Sequence, residues 1–178
     1  MRQHRIILYV LAIGITILGL VSGVAAQDAQ PVEPLPLASE PVVLEFSVGA
    51  AGPPTIEPLT DGRMTFRIAA AGEVTGALGG SLSAKISEVT PAPSPSYHSV
   101  TIIFAIETDD GVLEGYYAGS FHQPDGADQA NISAVGKILS VSGAYADLYL
   151  ADVYVTSTVQ FVDGRSVGES GSMLIAAR

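Results

Sequence analysis

"HSVTIIFAIETDDGVLEGYYAGSF", residues 98–121, sets two alternating apolar runs on either side of Asp109-Asp110-Gly111. In the first run Val100, Ile102, Phe104 and Ile106 share one face, and Ile103 and Ala105 share the other. Side chains alternate faces along an extended chain, so this spacing predicts a β-strand. Asp-Gly between two such runs is a tight-turn signal and predicts a hairpin. The first strand is apolar on both faces, which implies that something packs outside the sheet, such as another subunit.

The same period of two runs outward from this hairpin. "VLEFSV", "RMTFRIA" and "GSLSAKISEV" precede it, and "ANISAVG", "KILSVSG", "DLYLADVYVTSTVQF" and "SVGESGSMLIAA" follow. Between them lie turn-rich stretches. "GAAGPPTIEPLTDG" is expected to be a loop, because its prolines exclude a central strand. "TPAPSPS" and "HQPDGADQ" break the chain again, and Asp163-Gly164 closes a last hairpin. No amphipathic helix is expected in this part of the chain. Short strands at even spacing predict an all-β fold. About eight antiparallel strands can close into an up-and-down β-barrel, which leaves no open edge; a two-sheet β-sandwich fits the same pattern. Strand lengths, missing tryptophan and glycine-broken runs speak against an outer-membrane barrel.

The N-terminus carries different information. Arg2 and Arg5 precede an apolar stretch from Ile6 to Val21, and small residues Val24 and Ala26 stand before Gln27. These are the parts of a secretory signal peptide, residues 1–26. The alternative is an uncleaved anchor, since the apolar stretch approaches the roughly 20 residues a spanning helix needs. Residues 27–41 are proline-rich and predict an extended linker, leaving 42–178 as one β-barrel domain. The expected location is secreted or extracytoplasmic, in the periplasm or cell envelope, with membrane contact only through the signal segment if it stays uncleaved. The chain has no cysteine, so disulfides and thiolate metal sites are excluded. Without Arg2 and Arg5 the remaining 6 Lys and Arg face 18 Asp and Glu, a net charge of −12. Such a surface repels phosphate backbones, which argues against nucleic acid as a partner.

Chemical motifs are few. His98 and His122 stand at expected strand ends near solvent, with no metal-binding spacing, so no metal and no cofactor is expected. Gly168–Ser172, "GESGS", is not a nucleophile elbow, and "GALGGS" lacks the lysine of a phosphate loop. The loop Pro124–Asn131 lacks calcium-loop spacing and is expected to be a hydrogen-bonded turn. The pocket candidates lie in "VLEGYYAGSFH". Glu114, Tyr116 and His122 fall on one face, and Tyr117 and Phe121 on the other. If the Glu114 face points inward, a desolvated carboxyl could serve as acid or base; if outward, it is wet surface. Tyr145, in "SGAY", is expected first to plug a structural corner and second to line a pocket mouth.

The order "TIIFAIETDDGVLEGYYAGSF", "ISAVGKILSVSGAYADLYL", "VYVTSTVQF", with Gly136, Ile138, Gly143, Ala144 and Tyr145 at the step, resembles the allene oxide cyclase and dirigent barrel superfamily over roughly residues 100–161. The resemblance implies an eight-stranded barrel, often a homotrimer, with an interior suited to an apolar small molecule. No catalytic residue carries over from it. The leading expectation is an exported, soluble barrel that binds a small apolar ligand inside the barrel, self-assembles, or does both, with Glu114, Tyr116 and Tyr145 as ligand-binding candidates. The alternatives are an isomerase or cyclase of the same type and a structural cell-envelope domain. Whether the chain is an enzyme stays open.

Overall fold

The computed structural model describes residues 40–90, 97–163 and 165–177. The signal segment and most of the linker lie outside the described residues. Among the described residues nine strands follow one another: β1 Val42–Ala50, β2 Thr55–Pro58, β3 Met64–Gly76, β4 Gly80–Thr90, β5 Tyr97–Thr108, β6 Gly111–His122, β7 Gln129–Val141, β8 Asp152–Val162 and β9 Arg165–Ala176. Each pairs antiparallel with its sequence neighbour from β3 to β9, and β1 bonds to both β9 and β3. Eight strands therefore close on themselves, the barrel rather than the sandwich.

Closure is staggered. From Leu44 the register runs through Met173, Val155, Ala134, Gly119, Val100 and Glu88 to Phe66. On its other edge Leu44 faces Gly76, ten residues farther along β3. A barrel closes with such a shear only if its strands tilt, typically by about 35–45°. The hairpin at Asp109–Asp110 forms as its sequence predicts, with Ile106 opposite Leu113. The period-two pattern sends Val100, Ile102, Phe104 and Ile106 inward, where all four are buried. Ile103, on the outer face, is 58% exposed, so no part of the described chain covers it.

Three expectations change. The loop after β1 contains β2, which bonds to the start of β3 beyond the point where β1 leaves it. Pro58 is tolerated there because β2 pairs on one edge only. "ANISAVG" and "KILSVSG" are one strand, β7, bent at a bulge: Gly115 faces Ile138 and Glu114 faces Ser140. Leu139 is the extra residue, so it turns outward beside Ser140. The stretch after β7 is neither a plain corner nor a strand. Gly143–Leu148 forms a 3₁₀ helix, and β8 starts only at Asp152.

That 3₁₀ segment closes one end of the barrel. Tyr145 and Leu148 are buried, and the Tyr145 hydroxyl lies 2.6 Å from Thr108 Oγ1. Gly143 makes the turn into it with φ +66, and a Cβ there would run into the Asp110 carbonyl. Only glycine adopts this conformation at this spacing without strain. Gly143→Ala is expected to destabilise the fold by about 1–3 kcal/mol. Gly79→Ala, where a Cβ meets open space, is expected to be neutral or slightly stabilising. Urea unfolding of both variants checks this; equal midpoints would remove Gly143 from its assigned role.

Candidate functional site

The interior is filled by side chains. Leu44, Ile102, Ile106, Leu113, Ile132, Ile138, Met173 and Ile175 are all almost completely buried. The free space beside Val48, Ile68, Ile86 and Glu169 amounts to about 10 Å³, room for one water. Ligand sites for drug-sized molecules usually offer about 300–1,000 Å³.

The interior is nevertheless divided along its axis. The half near the 3₁₀ segment is apolar, whereas the half toward Pro124 carries polar groups in two clusters. In the first, Ser157 Oγ and the Tyr117 hydroxyl donate to Glu169 Oε1 at 2.7 and 3.3 Å. Burial pushes the Glu169 carboxyl up from its ordinary range, while its two hydrogen bonds oppose the shift. Burial, and next the charge of Glu169, push the Tyr117 phenol up as well. In the second, His98 Nδ1 lies 2.5 Å from Glu88 Oε1, and the imidazole stacks on Phe121 at 4.5 Å and 6°. His98 Nε2 is buried with no partner among the described residues.

His98 thus corrects the expectation of a solvent-facing strand end. It continues the inward phase of Val100 and Ile102, and β5 begins one residue before it. His122 is exposed, as expected. Glu88, Ser157 and Glu169 escaped sequence reading because each is one polar residue in an alternating strand. The inward phase of its neighbours was the available signal, since Leu82, Ala84 and Ile86 place Glu88 on the same face.

The candidates in β6 point outward. Glu114 is exposed and Tyr116 half-buried, while Tyr117 and Phe121 fill the core. Tyr145 is not with them, because it plugs the barrel end. Glu114 does line a concavity, a groove of about 600 Å³ across the outer wall of β3 to β7. Its floor is made of short side chains, among them Ala69, Ala71 and Ala105, and Ile103 and Leu139 stand up from it. Small residues at outward positions leave a trough where larger ones would fill it. The β7 bulge aims Leu139 into this groove. Lys85 and Glu114 supply its charged groups. Among the described residues no three metal-ligating side chains come together.

Glu169 gives a pH signature. Its folded-state pKa is raised, so the native state binds more protons than the unfolded chain, and stability falls as pH rises through that interval. Glu169→Gln keeps an acceptor for Ser157 and Tyr117 and removes the titration. The variant is expected to melt above the parent at pH 7, with the gap closing toward pH 4. A gap independent of pH in thermal melts would assign the effect to packing. No family model, curated protein or solved structure matches the chain.

Proposed function

We propose that the chain is an exported β-barrel that binds a small, mostly apolar molecule in the groove on its outer wall. The observation behind this reading is the groove itself, about 600 Å³ and floored by alanines, whereas the space beside Val48, Ile68, Ile86 and Glu169 is about 10 Å³. An antiparallel sheet facing water ordinarily sets polar residues on that face. Here Ala69, Ala71, Ile103, Ala105 and Leu139 occupy it. The allene oxide cyclase or dirigent resemblance has the support of the barrel alone, and an isomerase reading has less, because Glu114 and Tyr116 lie on an open wall.

Self-assembly is a second reading with its own observation. Val43, Leu174, Tyr154, Val135 and Ala118 stand side by side across five strands on the outer wall. Val43, Tyr154 and Val135 are well exposed. An exposed apolar row of this kind suits a second copy of the chain, including a homotrimer. Native mass spectrometry of residues 27–178 reads this directly: an oligomer supports it, and a monomer at micromolar concentration overturns it.

N-phenyl-1-naphthylamine, a neutral fluorophore that brightens in apolar sites, tests the groove. Saturable binding is expected for the parent, and Ala105→Trp, which fills the floor, is expected to weaken it by about ten-fold or more. Unchanged affinity in a variant with a native circular dichroism spectrum moves the ligand away from the groove. Export has a separate check: the chain recovered from the extracytoplasmic fraction is expected to begin at Gln27. Recovery only inside the cytoplasm refutes export.

A further inference from the structure

Two cations among the described residues, Lys85 and Arg165, form no ion pair, and Lys85 is the one that lines the groove. Arg63, Arg67 and Lys137 each meet a carboxylate, on Asp61, Glu57 and Asp152. Lys85 forms no ion pair among the described residues, although the domain carries a large excess of acids. The register gives the reason. Directly opposite Lys85 stand Ala69 on β3 and Ile103 on β5. The diagonal positions hold Arg67, Ala71, Thr101 and Ala105, and none is a carboxylate. Cross-strand and diagonal neighbours are the ones an outward side chain reaches.

Glu114, the groove's carboxylate, is two strands away. It lies opposite Ala105, two residues along β5 from Ile103. With strands about 4.8 Å apart and residues about 3.3 Å apart, the two Cα positions are separated by on the order of 12 Å. The charges therefore mark different parts of the groove, with Ile103 and Ala105 between them. Lys85 is left as a positive point beside an apolar trough, whereas the neighbouring Arg67 is offset by Glu57. Low-dielectric walls strengthen such a charge toward a bound anion.

We propose that the groove's ligand is an amphipathic anion, with a single negatively charged head group at Lys85 and an apolar body over Ala105 and Leu139. This rests on the groove reading above and adds the class of ligand to it. Glu114 gives the site direction, because its charge repels an anionic head from the β6 side. A neutral chain of the same length gains the apolar contacts only, and a cationic chain has to lie in the opposite direction, with its head at Glu114 and away from Lys85.

Displacement of N-phenyl-1-naphthylamine by decanoate, decanol and decylammonium, each below its aggregation concentration, separates the two statements. Decanoate is expected to compete about ten-fold better than decanol at low salt, with the advantage shrinking as ionic strength rises. Lys85→Gln is expected to erase that advantage, so that decanoate and decanol compete alike in the variant. If decanoate and decanol compete equally, if decylammonium competes as well as decanoate, or if the advantage survives in Lys85→Gln, the anionic head group is refuted and the groove stands. If the fluorophore binds and none of the three displaces it, the head-group assignment again fails. If the fluorophore does not bind the parent, the groove reading fails and this proposal falls with it.

Discussion

β1 is hydrogen-bonded on both edges, to β9 on one side and β3 on the other, and this double pairing is the constraint that organises the molecule. It joins residues more than a hundred positions apart in sequence, so its loop-closure cost is met only when the rest of the sheet is already in register. In return the sheet has no open edge along the barrel, where unpaired backbone groups would recruit other chains. The ten-residue stagger at the seam sets the strand tilt, and the tilt sets how much room the interior has. Residues 44–49 pair on both edges, and Leu44, the first of them, is fully buried.

The interior that results suits packing better than storage. Large aliphatic side chains interdigitate through it, and glycines at inward positions make space for rings. A Cβ on Gly115 would press on the Phe104 ring, which itself lies 5.9 Å from Tyr117. The 3₁₀ segment seals one end with Tyr145 and Leu148. A filled barrel directs attention to its outer wall, where short side chains and the β7 bulge form the groove.

The polar half of the interior sits at odds with this economy. A carboxyl buried without a full counter-charge, and an imidazole with one unpartnered nitrogen, are both unfavourable relative to apolar residues of similar volume. Glu169 offsets part of its burial through Ser157 and Tyr117, and Glu88 through His98. Both clusters lie toward the end that the 3₁₀ segment does not close. Burying these groups costs stability, and the pH response of Glu169 is the measurable trace.

The sequence by itself determined most of the strands, the Asp109-Asp110 hairpin and the two alternating faces of β5, because alternation is a local property written in consecutive residues; it missed β2 and split β7 in two. It also determined that β6 presents Glu114 and Tyr116 opposite to Tyr117 and Phe121. Which of those faces turns inward was beyond it, since a register slip of one residue exchanges them and register is fixed by neighbouring strands. Closure, the bulge at Leu139 and the 3₁₀ turn after Gly143 were likewise decided only in the assembled sheet. Glu88 and His98 meet because β4 and β5 are paired, and Glu169 meets Tyr117 across the barrel. The groove unites residues of five strands. Its charge pattern exists only once pairing has set alanines and Ile103 around Lys85, because side-chain environment in a sheet comes from the adjacent strands, far apart along the chain.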